Sequence, residues 1–252
     1  MAPTIHLVRH AQGVHNLPGA DGTIPDPDLT PLGEEQCARV RADFPSHDRI
    51  THLVASPMRR TLYTCIHSFG PDDADQERRR KLYPVTALDL LQEVSEARCD
   101  TGSAPEKLAA EFGDRVDVSG VDPKWTDKTN PESKFEPTMA KLVARAREAR
   151  RALRDIAGKG DGHLVAVSHG GFLHFLTDDW HGIPSDSGKN SYWMGELRFV
   201  DPTGQDDEAT LQETPESWRR RQGHQIPPTE TEKQQMRAAA HKSVRPHLKI
   251  KA

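Results

Sequence analysis

The strongest constraint on the fold is a unit that recurs along the chain. A short apolar run stops abruptly at polar residues, and a helix-like segment follows. Thr4–Val8 (TIHLV), His52–Ala55 (HLVA) and His163–Val167 (HLVAV) are such runs. They are short, apolar and partly β-branched, so they predict strands. Pro84–Leu91 predicts a third strand and its exit, and Glu196–Val200 a further one. Helical signals lie between them. Thr30-Pro31-Leu32-Gly33-Glu34-Glu35 combines a capping threonine, a proline suited to the first turn and two early acids. Leu32, Val40 and Phe44 are its expected core-facing residues. Ser56-Pro57 opens a second helix to about Ser68. Thr138–Ala157 carries an apolar stripe of Leu142, Val143, Ala146, Leu153 and Ile156. Gly170–Asp179 reads as another helix, and Pro105–Phe112 as a short one. Alternation of this kind predicts an α/β fold, a three-layer sandwich with a mostly parallel central sheet.

The chain has 252 residues. That suits one domain spanning 1–200, with residues 94–137 as a cap or insertion. From about Asp201 the composition turns polar and charged, so 201–252 reads as a weakly ordered tail with one or two amphipathic helices. There are 34 basic and 38 acidic residues, a formal net charge of −4. That balance gives no footprint for nucleic acid or an anionic membrane. The N-terminal MAPTIHLVRH has no signal-peptide pattern, and no run approaches the ~18 apolar residues of a membrane span. Cys37, Cys65 and Cys99 are few and widely spaced, as free thiols of a reducing compartment are. The chain reads as cytoplasmic.

Ligands of open α/β sheets bind beyond the carboxyl ends of the strands. Arg9-His10 follows the first strand and Ser56-Pro57-Met58-Arg59-Arg60-Thr61 the second. Leu91-Gln92-Glu93 follows the third, and Ser168-His169-Gly170-Gly171 the strand after the long helix. Two histidines, at least two arginines and a glutamate thus converge on one rim from four segments.

This set resembles the histidine phosphatase superfamily, in its phosphoglycerate mutase-like branch. Arg9-His10-Ala11 with Asn16 is similar to the family's R-H-G and later Asn. Ser56–Thr61 is similar to S-P-L-x-R-A, which places the family arginine at Arg60. Leu91-Gln92-Glu93 matches L-x-E, Ser168-His169-Gly170 matches S-H-G, and Leu29-Thr30-Pro31-Leu32-Gly33 matches L-T-x-x-G. The likeness runs from Thr4 to Asp179. Ala11 and Thr61 depart from the pattern, and the mutase run L-N-E-R-H-Y-G is absent.

The resemblance implies a phosphatase acting on a small phosphorylated metabolite. His10 is then the nucleophile, forming a phospho-histidine, and Glu93 the general acid and base. Arg9, Arg60, His169, Asn16 and the Gly170 N–H hold the phosphate. No metal or cofactor is required, because guanidinium groups supply the positive charge. Glu96 and Asp100 are rivals for the acid role. His15 and His174 are expected to pack or to support the site from behind. Lys124, Trp125 and Lys128 are placed either on the substrate side of the cap or in a solvated loop.

Four other readings stand beside this one. A mutase-type phosphotransferase would use the same residues. Ala166-Val167-Ser168-His169-Gly170 fits a loose nucleophile elbow, so a serine α/β-hydrolase would use Ser168 with Asp206 and His224. A non-catalytic relative would only bind phosphorylated ligands. Gly182–Lys189 is similar to a phosphate-binding loop only superficially, with five residues between its glycines and Asn190 after Lys189.

Overall fold

A computed structural model describes residues 2–72, 74–180, 194–201, 204–247 and 250–251. The sequence Gly182–Lys189 lies outside them. Seven strands form one sheet: β1 (Thr4–Arg9), β2 (Ile50–Ala55), β3 (Val85–Ala87), β4 (Val116–Asp117), β5 (His163–Ser168), β6 (Met194–Phe199) and β7 (Leu211–Glu213). Their order is β4-β3-β2-β5-β1-β6-β7. β1 pairs with β5 and β2 with β5, all parallel, whereas β6 joins β1 antiparallel. The expected mostly parallel sheet is present. β1 and β5 are central, and every residue of β5 is buried. That explains why both read as continuous apolar runs rather than alternating ones.

Eight α-helices accompany the strands among the described residues: α1 (Pro31–Asp43), α2 (Arg59–Phe69), α3 (Gln76–Leu82), α4 (Pro105–Phe112), α5 (Met139–Ala157), α6 (Gly170–Thr177), α7 (Pro215–Gln222) and α8 (Glu230–His247). The connections β1-α1-β2 and β2-α2-β3 step along the sheet in one direction, and β4-α5-β5 steps back. Right-handed crossovers therefore put α1 and α2 on one face and α5 on the other. α1 packs on α2, and α5 on α6. These are the three layers.

Thr30 caps α1 as its sequence predicts, accepting from Gly33 N at 3.0 Å. The buried face of α1 is narrower than expected. Gly33, Gln36 and Cys37 are buried, while Leu32 is 43% exposed. Along α5, Leu142, Ala146 and Leu153 face the core, but Val143 points outward and Arg145 is buried instead. α3 lies in a charged stretch and is capped by Asp75. All three cysteines are free and buried.

The stretch 201–252 is more ordered than its composition suggests. β7 pairs antiparallel with β6. Leu211, Ala240 and Ile250 join the core, and Trp218 is buried. A few apolar residues at well-spaced positions suffice to dock an otherwise polar segment. No helix among the described residues is long and apolar enough to cross a membrane.

Candidate active site

The site lies where β1, β2 and β5 end. His10 leaves β1, and its N–H donates to Ser168 O at the end of β5, 2.9 Å away. The next turns are tied down by α1. Gln12 N donates to Gln36 Oε1 at 2.8 Å, and Thr30 Oγ1 donates to Gln12 Oε1 at 2.7 Å. Gly33 brings α1 so close to Gln12 that a Cβ would strike the Gln12 carbonyl. The L-T-x-x-G segment is therefore a brace for the loop that carries His10. Ala11 N donates to Thr64 Oγ1 of α2 at 3.0 Å, closing the loop from the other side.

The His10 side chain is 3% exposed. Its Nδ1 lies 2.7 Å from the carbonyl of Ala11. A carbonyl only accepts, so Nδ1 carries the proton and Nε2 keeps the lone pair. Burial, followed by the like charge of Arg60 and Arg9, holds His10 well below its ordinary 6.5. Desolvation is the larger cause and the guanidinium charges the smaller. The imidazole is neutral, and Nε2 is the nitrogen that keeps the lone pair.

Arg60, in the first turn of α2, is fully buried. Nη1 donates to Cys99 O at 2.7 Å, and Nη2 faces Asp100 Oδ1 at 3.2 Å and His169 Nδ1 at 3.1 Å. Its Nε is buried without a hydrogen-bond partner. A guanidinium cannot accept, so His169 Nδ1 must accept, and His169 Nε2–H then donates to Ser56 Oγ at 3.0 Å. His169 is also held well below its ordinary value, by burial first and Arg60 second. Its ring lies 5.2 Å from that of His10. His15 stands on the other side, 5.4 Å from His10, with burial lowering its pKa to about 3.

Glu93 lies under the N-terminus of α6. Its carboxylate accepts from Gly171 N at 3.2 Å and Phe172 N at 3.0 Å, as well as from Val94 N at 2.8 Å. A Cβ on Gly171 would fall 2.6 Å from Glu93 Oε1, so the glycine makes this approach possible. Burial raises the Glu93 pKa above 4.5, and nearby Asp100 raises it further. The Gly170 N–H is left unengaged by Glu93 at the start of α6. Arg9 lies beside that residue, its Nε 3.1 Å from where a Gly170 Cβ would stand. Asn16 is exposed, and its Oδ1 accepts from Gly13 N at 3.0 Å, which leaves its amide group as a donor.

His10, Arg9, Arg60, Glu93, His169 and Gly170 are thus brought to one rim, with Asn16 at its edge. A recess of about 260 Å³ lined by Val14, Leu17, Pro18 and Ile24 adjoins His15. Among the described residues, no three His, Cys, Asp or Glu side chains are grouped as metal ligands.

A sequence profile of the histidine phosphatase superfamily (branch 1) matches residues 5–193. The chain belongs to the histidine phosphatase superfamily. A phosphoglycerate mutase-like protein of Arabidopsis thaliana is 28% identical over 211 residues, 70% of this chain and 74% of that protein. A putative phosphoserine phosphatase 2 of Hydrogenobacter thermophilus is 27% identical over 176 residues, 69% and 76% of the two chains. Among solved structures, a mutant phosphoserine phosphatase from Entamoeba histolytica in complex with phosphoserine shares the fold. Its TM-score is 0.50 at 16% identity, covering 84% of this chain and 95% of that one.

For this histidine phosphatase superfamily member, the rival readings meet specific obstacles. Ser168 is fully buried, and its Oγ donates to Leu91 O at 2.7 Å. Asp206 is engaged with the backbone of Glu208 and Thr210, and His224 is exposed, so no serine triad is assembled. Of the rival acids, Glu96 pairs with Lys251 at 2.8 Å. Asp100 sits between Arg60 and Ser95, whose Oγ donates to Oδ2 at 2.5 Å. His174 accepts no site role, since its Nδ1 donates to Asp179 O at 2.8 Å and its ring stacks on Trp180.

Trp125 and Lys128 are interior, 0% and 2% exposed, and line no substrate surface. Ser56 orients His169, and Ser95 with Asp100 holds Arg60, roles the sequence did not single out. Only the spacing of Ser56 to Arg60 hinted at the first of them.

Proposed function

We propose that the protein is a phosphatase that hydrolyses a small phosphomonoester through a phospho-histidine on His10, without a metal. The observation that carries this reading is the tautomer of His10. Its Nδ1–H is tied to Ala11 O beside the fully buried Arg60.

A phosphomonoester is dianionic near neutral pH and repels nucleophiles, so the charge must be met first. Arg60 Nε, Arg9, the Gly170 N–H and the Asn16 amide are the donors suited to the phosphate oxygens. His10 Nε2 attacks phosphorus, and the bond to the leaving oxygen breaks. Glu93, its pKa raised, gives that oxygen its proton. The carboxylate then takes a proton from water, and the water oxygen attacks the phospho-histidine. Free phosphate leaves and neutral His10 returns.

His169 enters this scheme with both nitrogens occupied. Its phosphate contact requires Nε2–H to turn from Ser56 Oγ to a phosphate oxygen. The missing mutase run favours water over a second substrate as the acceptor. The relatives' names make phosphoserine the first compound to try, and the recess beside His15 offers room for the organic part.

A panel of phosphomonoesters assayed with chelator present tests the proposal. Turnover of phosphoserine or 4-nitrophenyl phosphate, inhibited by orthovanadate, is the expected result. Turnover only after a divalent metal is restored would overturn the metal-independent scheme.

A further inference from the structure

Lys128 is the feature that this scheme leaves unused. Its ammonium is buried, yet no carboxylate among the described residues pairs with it directly. Nζ donates to three backbone carbonyls instead: Glu93 O at 2.9 Å, Ser95 O at 2.9 Å and Asp100 O at 2.6 Å. An ammonium has three N–H donors, and all three are used. The three acceptors belong to one loop, 93–100, which closes around the nitrogen.

That loop carries two parts of the site. Its first residue, Glu93, presents the carboxylate at the start of α6. Its far end holds Arg60 through Cys99 O and the Asp100 carboxylate. Ser95 Oγ links the two ends by donating to Asp100. Arg145 supports the entry to this loop from α5, donating to Gln92 O at 2.9 Å and to Glu93 O at 3.5 Å.

We propose that Lys128 is a positioning residue that fixes the Glu93 carboxyl and the Arg60 guanidinium relative to each other by gathering the loop between them onto one nitrogen. It does not touch substrate. Its charge matters less than its shape, since three carbonyls converge on a single tetrahedral donor. A planar guanidinium spreads its donors and cannot reproduce that convergence. The inference rests on the assignment of Glu93 as the acid.

The test compares phenyl phosphate with 4-nitrophenyl phosphate in wild type, Lys128→Met and Lys128→Arg. The phenyl ester needs a proton on its leaving oxygen far more than the nitrophenyl ester does. A misplaced acid therefore slows the first selectively, whereas general loss of folded protein slows both alike. Lys128→Met should lower kcat for phenyl phosphate by ~10²-fold and for 4-nitrophenyl phosphate by about tenfold or less, the scale of a group displaced by about 1 Å. Lys128→Arg should show the same selectivity and not rescue it. It decides the matter should the Met variant fail to fold.

Equal losses on both esters, or wild-type rates in the Arg variant, would overturn the inference. A wild-type protein with no turnover of phosphoserine or of either ester would instead overturn the phosphatase reading. The two failures are therefore distinguishable.

Discussion

Two histidine pairs bridge β1 and β5, one within the sheet and one just beyond the strand ends. His6 and His163 lie with ring centroids 4.9 Å apart, and His10 and His169 5.2 Å apart. Burial is the first cause that lowers all four, with His6 brought to about 3. By burial and protonation alone the pairs are hard to tell apart. They differ in where the nitrogens point. His6 Nε2 and His163 Nδ1 bond to each other at 2.8 Å, and the His6 ring packs edge-on against Phe44. The outer pair makes no such bond. Ala11 O orients one ring, and Arg60 with Ser56 orients the other. A buried neutral histidine is therefore not a sign of catalysis. What sets the outer pair apart is the His10 lone pair beside the Arg60 guanidinium.

The sharpest way to break the comparison is to remove one member of each pair. His10→Ala should lower kcat by about 10³-fold or more, as loss of a nucleophile does, with the melting temperature kept or raised. His6→Ala should leave kcat within about threefold and instead cost ~1–3 kcal/mol of stability, the usual range for a buried contact. Steady-state rates and thermal melts on the same samples check both. A strong rate loss in His6→Ala would erase the distinction.

Glu93→Gln comes next. General acid catalysis contributes ~10²–10⁴-fold, so phenyl phosphate should suffer on that scale while 4-nitrophenyl phosphate loses much less. Equal loss on both esters would move the acid role to Asp100.

The smallest effect is one that both pairs share. A histidine buried neutral binds a proton less readily folded than unfolded. Above 6.5, the ordinary value, both states are neutral and nothing is lost. As pH falls through 6.5, the unfolded chain takes up protons that the folded one refuses, and stability declines toward the depressed folded values. Glu93, with its raised pKa, works the opposite way and favours the folded state on the acid side. With His6, His10, His15 and His169 outnumbering it, the melting temperature should fall between pH 7 and 5. A flat profile in that window would mean that the histidines are less enclosed than described.

The central sheet was legible because β1 and β5 are buried on both faces and so are written as unbroken apolar runs. The rim residues were legible because each follows such a run within a few residues, where the fold leaves little freedom. What the sequence concealed lies further from strand ends. β4 has two residues, too few for any pattern. α3 is charged apart from Gln76 and Leu82, and only its Asp75 cap signals a helix. β7 borrows its order from β6. Lys128 reads as a surface lysine until the loop carbonyls that enclose it are seen together, because burial of a charge is a property of tertiary contacts and not of local sequence.

The most direct measurement is a rapid acid-free quench of the enzyme turning over 4-nitrophenyl phosphate, followed by intact-mass and peptide analysis. The account predicts one phosphoryl group on the peptide containing His10, labile to acid and stable to alkali, and absent from His10→Ala. A phosphoryl group on Ser168 or any other residue, or full turnover by His10→Ala, would contradict it.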